Sequence, residues 1–228
     1  MKLSMPQFID IHTHNQTPEK NTLKIINATQ SYDFSVQSSN LFSLGLHPWY
    51  LDKDTIESDF EKLEQNAKNQ QVVMIGECGL DRNIDIDLAF QKEIFIRQIQ
   101  LAERLQKPVI IHCVRAFPEI IAIKKKLNLS VPMIIHGFNN NLQICQQLIK
   151  HQFYISLGTA LLNPNANASK IIKMIPKEKL FLETDDKNCT ISSIFVAAST
   201  HVGVEIEILQ EIIINNFNRI FRNQNLKT

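Results

Sequence analysis

Two histidines one residue apart, His12 and His14 in the stretch FIDIHTHNQ, close an apolar run near the start of the chain. Side chains two apart on an extended strand face the same way. The pair therefore converges, with Asp10 one step deeper on the same face and Ile9 and Ile11 on the other. Further imidazoles and carboxylates fall at the ends of later apolar runs: His47 after SLGL, Glu77 after VVMIG, His112 after PVII, His136 after PMII, and Asp185 after KLFLET. Imidazole and carboxylate are the ligand types for Zn, Mn, Fe or Ni, and carboxylate alone favours Mg. One such histidine is ordinarily structural. A whole set confined to the same end of successive strands points to shared chemistry. A set of this size exceeds what one ion with an open position needs. The expected cofactor is a pair of divalent ions, Mg, Mn or Zn, sharing a bridging carboxylate at about 3.5–4 Å separation and activating a water.

Elements that position these residues follow from the apolar pattern. Strand candidates are QFIDIH, LKIINAT, LFSLGLH, VVMIGE, PVIIHC, PMIIHG, FYISLG and KLFLET. Helical spacing predicts helices over 54–69, 87–106, 117–128, 140–151 and 165–175, the clearest being LAFQKEIFIRQIQLAERLQ, which Lys107-Pro108 terminates. Strand and helix alternating in this way imply parallel βαβ units, and eight strands imply a closed (β/α)8 TIM barrel. The C-terminal ends of barrel strands share one rim, so residues spread along the chain would meet there. The segments THNQTPEKNT and QSYDFSVQSSN are short for crossovers. The barrel is therefore expected to be distorted, with its first two helices missing or shortened. ISSIFVAAST and VEIEILQEIIINNFNRIF add helices after the last strand.

The chain has 228 residues, 44% hydrophobic and 21% charged, which suits a single barrel domain over 1–228. Lys plus Arg number 24 against 23 Asp plus Glu, so no global basic field recruits nucleic acid. The four cysteines form no C-x-x-C pair, which argues against a disulfide framework or zinc ribbon. Neither a signal-peptide h-region nor a run of roughly 20 apolar residues is present. The expectation is a soluble cytoplasmic protein with no membrane partner and no evident protein partner.

FIDIHTH, GLHPWY, IGECGLD, FQKEIFIRQIQLAERLQKPVIIHC, IIHGF and LFLETD together resemble the TatD family of metal-dependent deoxyribonucleases, within the amidohydrolase-like barrels. The resemblance runs from about Phe8 to Phe221. It implies metal-dependent phosphodiester hydrolysis with DNA as substrate. It implies that His12, His14, Glu77 and Asp185 hold one ion, and that Glu77, His112 and His136 hold the other. Where many amidohydrolase-like enzymes bridge their metals with a carboxylated lysine, this chain carries Glu77. Two departures fall beside the motifs: ETDDKN in place of the family's Glu-Thr-Asp-Ala-Pro, and Gly137-Phe138-Asn139-Asn140 where Cys-Phe-Ser-Gly is usual.

On this reading Asp185 orients the attacking water and takes its proton, and Glu77 joins it in the catalytic set. Arg115 and Arg82 are phosphate-clamp candidates through bidentate guanidinium pairing, with a structural ion pair the competing role for each. His47 is placed to donate to the scissile phosphate, and Trp49 with Tyr50 to stack on a base. Asp10 either orients a histidine ring or makes an internal barrel hydrogen bond. Two rival functions stand beside the nuclease: a metal-dependent esterase or deacylase, for example one cleaving aminoacyl-tRNA, and a non-catalytic binding protein on a relic barrel.

Overall fold

A computed structural model describes residues 7–28, 31–34 and 40–222. Eight strands form one sheet in the order β1 to β8: Phe8–Thr13, Thr22–Ala28, Leu41–Leu44, Val72–Asp81, Val109–Val114, Met133–Ile135, Tyr154–Leu157 and Leu180–Leu182. Pairing is parallel from β3 through β6 and from β7 to β8. An isolated parallel bridge joins Thr13 to Asp185. This is a (β/α)8 barrel. Helices α1 (Ile56–Asn66), α2 (Leu88–Leu105), α3 (Phe117–Leu127), α4 (Leu142–Lys150) and α5 (Asn167–Ile171) follow β3 through β7, and α6 (Ile191–Val202) and α7 (Ile206–Ile220) follow β8.

Residues 14–21 contain no helix, so the first barrel helix is absent, as the shortness of that segment predicts. The second expected deletion falls largely on 29–30 and 35–39, outside the described residues. The helix expected over 165–175 is shorter: α5 ends at Ile171 and a 3-10 turn, Ile172–Met174, replaces its second half.

The chain divides into two compact units, 1–25 with 136–228, and 26–135. In the second unit, β4 is buried along its whole length, and its central position accounts for the continuous apolar run VVMI. α2 packs on it through Ile94, Phe95, Ile99 and Ala102, all fully buried. Asp87 caps α2 by accepting from the Phe90 amide, and Gln106 ends it in the left-handed conformation just before Pro108. Two polar residues interrupt that apolar face, Gln91 and Gln98, each 1% exposed. In the first unit, α6 and α7 pack on β1 and β8. Phe8 and Phe195 meet edge to face at 5.1 Å, and buried Asn216 of α7 donates to the carbonyls of Lys177 and Leu180. Among the described residues no single helix is long and apolar enough to cross a membrane.

Candidate functional site

In the unit formed by 1–25 and 136–228, the end of β1 and the segment after β8 are laced together. The Asp185 amide donates to the His12 carbonyl at 3.0 Å, and the His14 amide donates to the Asp185 carbonyl at 3.0 Å. Those two bonds hold Asp185 at φ +56, a conformation that aspartate tolerates better than most residues. Asp185 Oδ1 then lies 3.5 Å from His12 Nε2 and 3.6 Å from His14 Nε2. The His12 and His136 rings are 4.7 Å apart, and His12, His136 and Asp185 each offer a donor atom within 4.8 Å of the others. His12 is fully buried, whereas the His14 side chain is 43% exposed, so the group opens on one side. Asp10 spends its carboxylate on Thr184, accepting from the amide at 3.0 Å and the hydroxyl at 2.6 Å. That is an internal hydrogen bond between β1 and the end of β8. Burial pushes the Asp10 carboxyl up to about 7, with the Thr184 bonds holding it back.

Glu183 belongs to the same group and was not singled out by spacing. It is completely buried, its Oε1 accepts from the Gly137 amide at 2.6 Å, and the same oxygen lies 3.4 Å from His136 Nδ1. Its Oε2 has no hydrogen-bond partner among the described residues. Gly158 makes room for it, since a Cβ there would sit 3.3 Å from Glu183 Cγ. An unpaired carboxylate oxygen in a fully buried position is costly. The donor set beside it suits a cation. The alternation of LFLETD puts Glu183 two residues before Asp185, a signal that was available in the sequence.

In the unit 26–135, Glu77 lies inside β4 and does not end it. Register slips between Ile75 and Cys78, where three residues of β4 span two of β5. This β-bulge contains Glu77 and re-aims it. Likewise His112 lies within β5, and His47 comes three residues after β3. His47 caps the 3-10 turn Pro48–Tyr50, its Nδ1 accepting from the Trp49 amide, so its Nε2 proton is directed at Glu77 Oε1, 3.0 Å away. His112 Nδ1 is also 3.0 Å from Glu77 Oε1. His47, Glu77 and His112 form the second set of donors lying within 4.8 Å of one another. Gly79 pairs with His112 in register, so Glu77 and Asp81, two residues to either side of Gly79, reach the two edges of the His112 ring. A Cβ at Gly79 would stand 1.9 Å from the His112 carbonyl oxygen.

Asp81 lies beyond VVMIGE, the strand predicted from the apolar pattern, because β4 continues four residues past Glu77. Burial works to raise its carboxyl, but hydrogen bonds from Trp49, the Asn83 amide and His112 outweigh that and hold it below the ordinary value. Trp49 donates its indole N–H to Asp81 Oδ2 at 2.7 Å while remaining 51% exposed. Tyr50 is 78% exposed. Arg82 pairs with Glu119 of α3, which takes up part of its charge. Arg115, directly after β5, is exposed at φ +53.

A family model described as TatD related DNase matches residues 8–222. The uncharacterized metal-dependent hydrolase YabD of Bacillus subtilis is 33% identical over 160 residues, 68% of this chain and 60% of that protein. The human 3'-5' RNA nuclease TATDN2 is 32% identical over 152 residues, 63% of this chain and 19% of that protein. The chain thus spans about 60% of the length of a bacterial relative such as YabD, and a smaller share of the human one. The crystal structure of YjjV, a TatD homolog from Escherichia coli K12, has the same fold, with a TM-score of 0.83 at 23% identity over 96% of this chain and 99% of that one.

Proposed function

We propose that this chain, which belongs to the family of TatD-related DNases, is a metal-dependent phosphodiesterase with DNA as its substrate class. The observation that carries the reading is the presence, in each unit, of three imidazole and carboxylate donors within 4.8 Å of one another. The metal chemistry rests on that donor set and on the orphaned Glu183 oxygen beside it. The family resemblance implies two divalent ions, one held by His12, His14, Glu77 and Asp185 and the other by Glu77, His112 and His136. Bound ions of this kind lower the pKa of a coordinated water and neutralise charge on phosphoryl oxygens.

The chain's own groups do the rest. Asp185, its backbone clamped from both sides by β1, orients the attacking water and accepts its proton. His47 presents its Nε2 proton toward the Glu77 carboxylate, and the same N–H is the donor assigned to a phosphate oxygen of the substrate. Arg115 supplies a guanidinium for phosphate, and the exposed faces of Trp49 and Tyr50 offer stacking surfaces for bases.

The test is a comparison of substrates. Chelator-treated protein, resupplied with Mg2+ or Mn2+, is incubated with single- and double-stranded DNA, RNA and an aminoacyl ester. Nucleotide release from DNA is the expected result. Cleavage of RNA with DNA left intact would move the substrate class toward that named for TATDN2. Hydrolysis of the ester alone would overturn the phosphodiesterase reading.

A further inference from the structure

The structure points to Asp81 as a positioning residue that fixes which ring nitrogen of His112 carries the proton and which is turned, with Glu77, toward an ion. This inference rests on the metal-site reading above and adds to it a residue that belongs to neither donor group. Both ring nitrogens of His112 face carboxylates: Nδ1 is 3.0 Å from Glu77 Oε1 and Nε2 is 3.1 Å from Asp81 Oδ2. A neutral imidazole has one N–H to give and one lone pair to offer. A lone pair facing a carboxylate oxygen at 3.0 Å is repulsive without a proton or cation to join them. Asp81 and Glu77 therefore compete for the ring proton, and only one of them is a ligand candidate.

Asp81 is built to take it. Its Oδ1 accepts from the Asn83 amide at 2.8 Å, and its Oδ2 accepts from Trp49 Nε1 at 2.7 Å. Its backbone is pinned by Gln91, which accepts from the Asp81 amide at 2.8 Å and donates to the Asp81 carbonyl at 3.0 Å. Asp81 is only 3% exposed. With its oxygens already accepting from these donors, the Asp81 carboxylate is held in place to accept from His112 Nε2 as well. With the proton held on Nε2, the Nδ1 lone pair and the Glu77 carboxylate are presented together, as a shared ion would need. Histidine ligands whose second nitrogen donates to a carboxylate are more basic and fixed in orientation. An asparagine cannot substitute, because one of its two side-chain atoms is a donor. Whichever way the amide is turned, it meets an N–H of Asn83, or of Trp49 and His112.

The experiment uses the full chain, 15N-labelled at histidine and stripped with chelator. Long-range 1H–15N spectra read the tautomer of His112 before and after Zn2+ is added, and calorimetry reads the Zn2+ affinity of wild type, Asp81→Asn and Trp49→Phe. We expect the proton on Nε2 and the ion on Nδ1 in wild type. We expect affinity lower by about 10- to 100-fold in Asp81→Asn, and affinity within about twofold of wild type in Trp49→Phe, which removes the indole donor and leaves the His112 contact. A neutral ring with its proton on Nδ1, or an ion bound at Nε2, in the wild-type protein overturns the assignment, whether or not the variants fold. So does equal affinity in folded Asp81→Asn, or a loss in Trp49→Phe as large as in Asp81→Asn. A wild-type chain that takes up no Zn2+ contradicts the metal-site reading instead, and the ion-free ring then decides the tautomer by the same spectra.

Discussion

Gln98 of α2 holds both backbone groups of Leu46: its Oε1 accepts from the Leu46 amide at 2.7 Å and its Nε2 donates to the Leu46 carbonyl at 3.0 Å. Leu46 precedes His47, so a buried amide on a helix sets the height of a histidine on a loop. Gln91, seven residues earlier on the same helix face, does the same for Asp81. Replacing Gln98 with Leu keeps the bulk and strands a buried N–H and C=O. Each such group costs about 1–3 kcal/mol, so urea unfolding should show a loss of about 2–6 kcal/mol. A loss under about 0.5 kcal/mol would show that the Leu46 segment finds other partners.

Glycine 79 lets β5 come close to β4. Because its Cβ would overlap the His112 carbonyl at 1.9 Å, Gly79→Ala should displace β5 and cost well over the roughly 1–3 kcal/mol of ordinary overpacking, leaving little folded protein in the soluble fraction. Gly203 gives the control. It also has a positive φ, +79, but nothing lies within 4 Å of a Cβ built there. Gly203→Ala should cost only the left-handed penalty of about 1–2 kcal/mol. Thermal melts of the two variants side by side check the contrast.

Lys107 supplies a pH dependence whose sign is fixed by burial. Its ammonium donates to the carbonyls of Ala67 and Asn69 after α1, and burial lowers its pKa from 10.5 to about 8. Between about pH 8 and 10.5 the unfolded chain holds a proton that the folded chain has released, so stability from this group rises with pH over that window. Below about pH 8 both states are protonated and the contribution is flat. Relative to Lys107→Met, wild type should therefore gain stability as pH is raised from 7.5 to 10. Denaturant midpoints that stay parallel for the two proteins would contradict the assignment.

Period and alternation carried the eight strands, the missing first helix and the convergence of His12 with His14. These follow from local sequence, since strand alternation and crossover length are local properties. Glu77 was harder. A β-bulge is invisible to a period-two reading, which ends the strand at Glu77 and leaves out Asp81, four residues on and facing the other ring nitrogen of His112. Gln91 and Gln98 carry no local signal of their role, because nothing in the sequence reveals that the backbone groups of Asp81 and Leu46 lie opposite them. Glu183 differs in part: its alternation with Asp185 is a local signal, and only its burial against the Gly137 amide needs the structure. In each case the missing information is which distant backbone approaches, and that is a property of the assembled barrel.

The central claim is a two-ion centre in which Glu77 is indispensable, and one titration tests it most directly. Mn2+ is added to chelator-stripped wild type and to Glu77→Gln, an isosteric change that keeps the acceptor facing His47 and His112 while removing the charge. Bound Mn2+ and release of nucleotides from a DNA oligomer are read in the same samples. A two-ion centre dependent on Glu77 gives two ions per wild-type chain and cleavage that follows their binding. It gives fewer than two ions in Glu77→Gln, with cleavage reduced by at least about 100-fold, in line with the loss of a group acting in the transition state. Wild-type cleavage that persists in excess chelator, or a Glu77→Gln protein that binds two ions and cleaves at the wild-type rate, would contradict it.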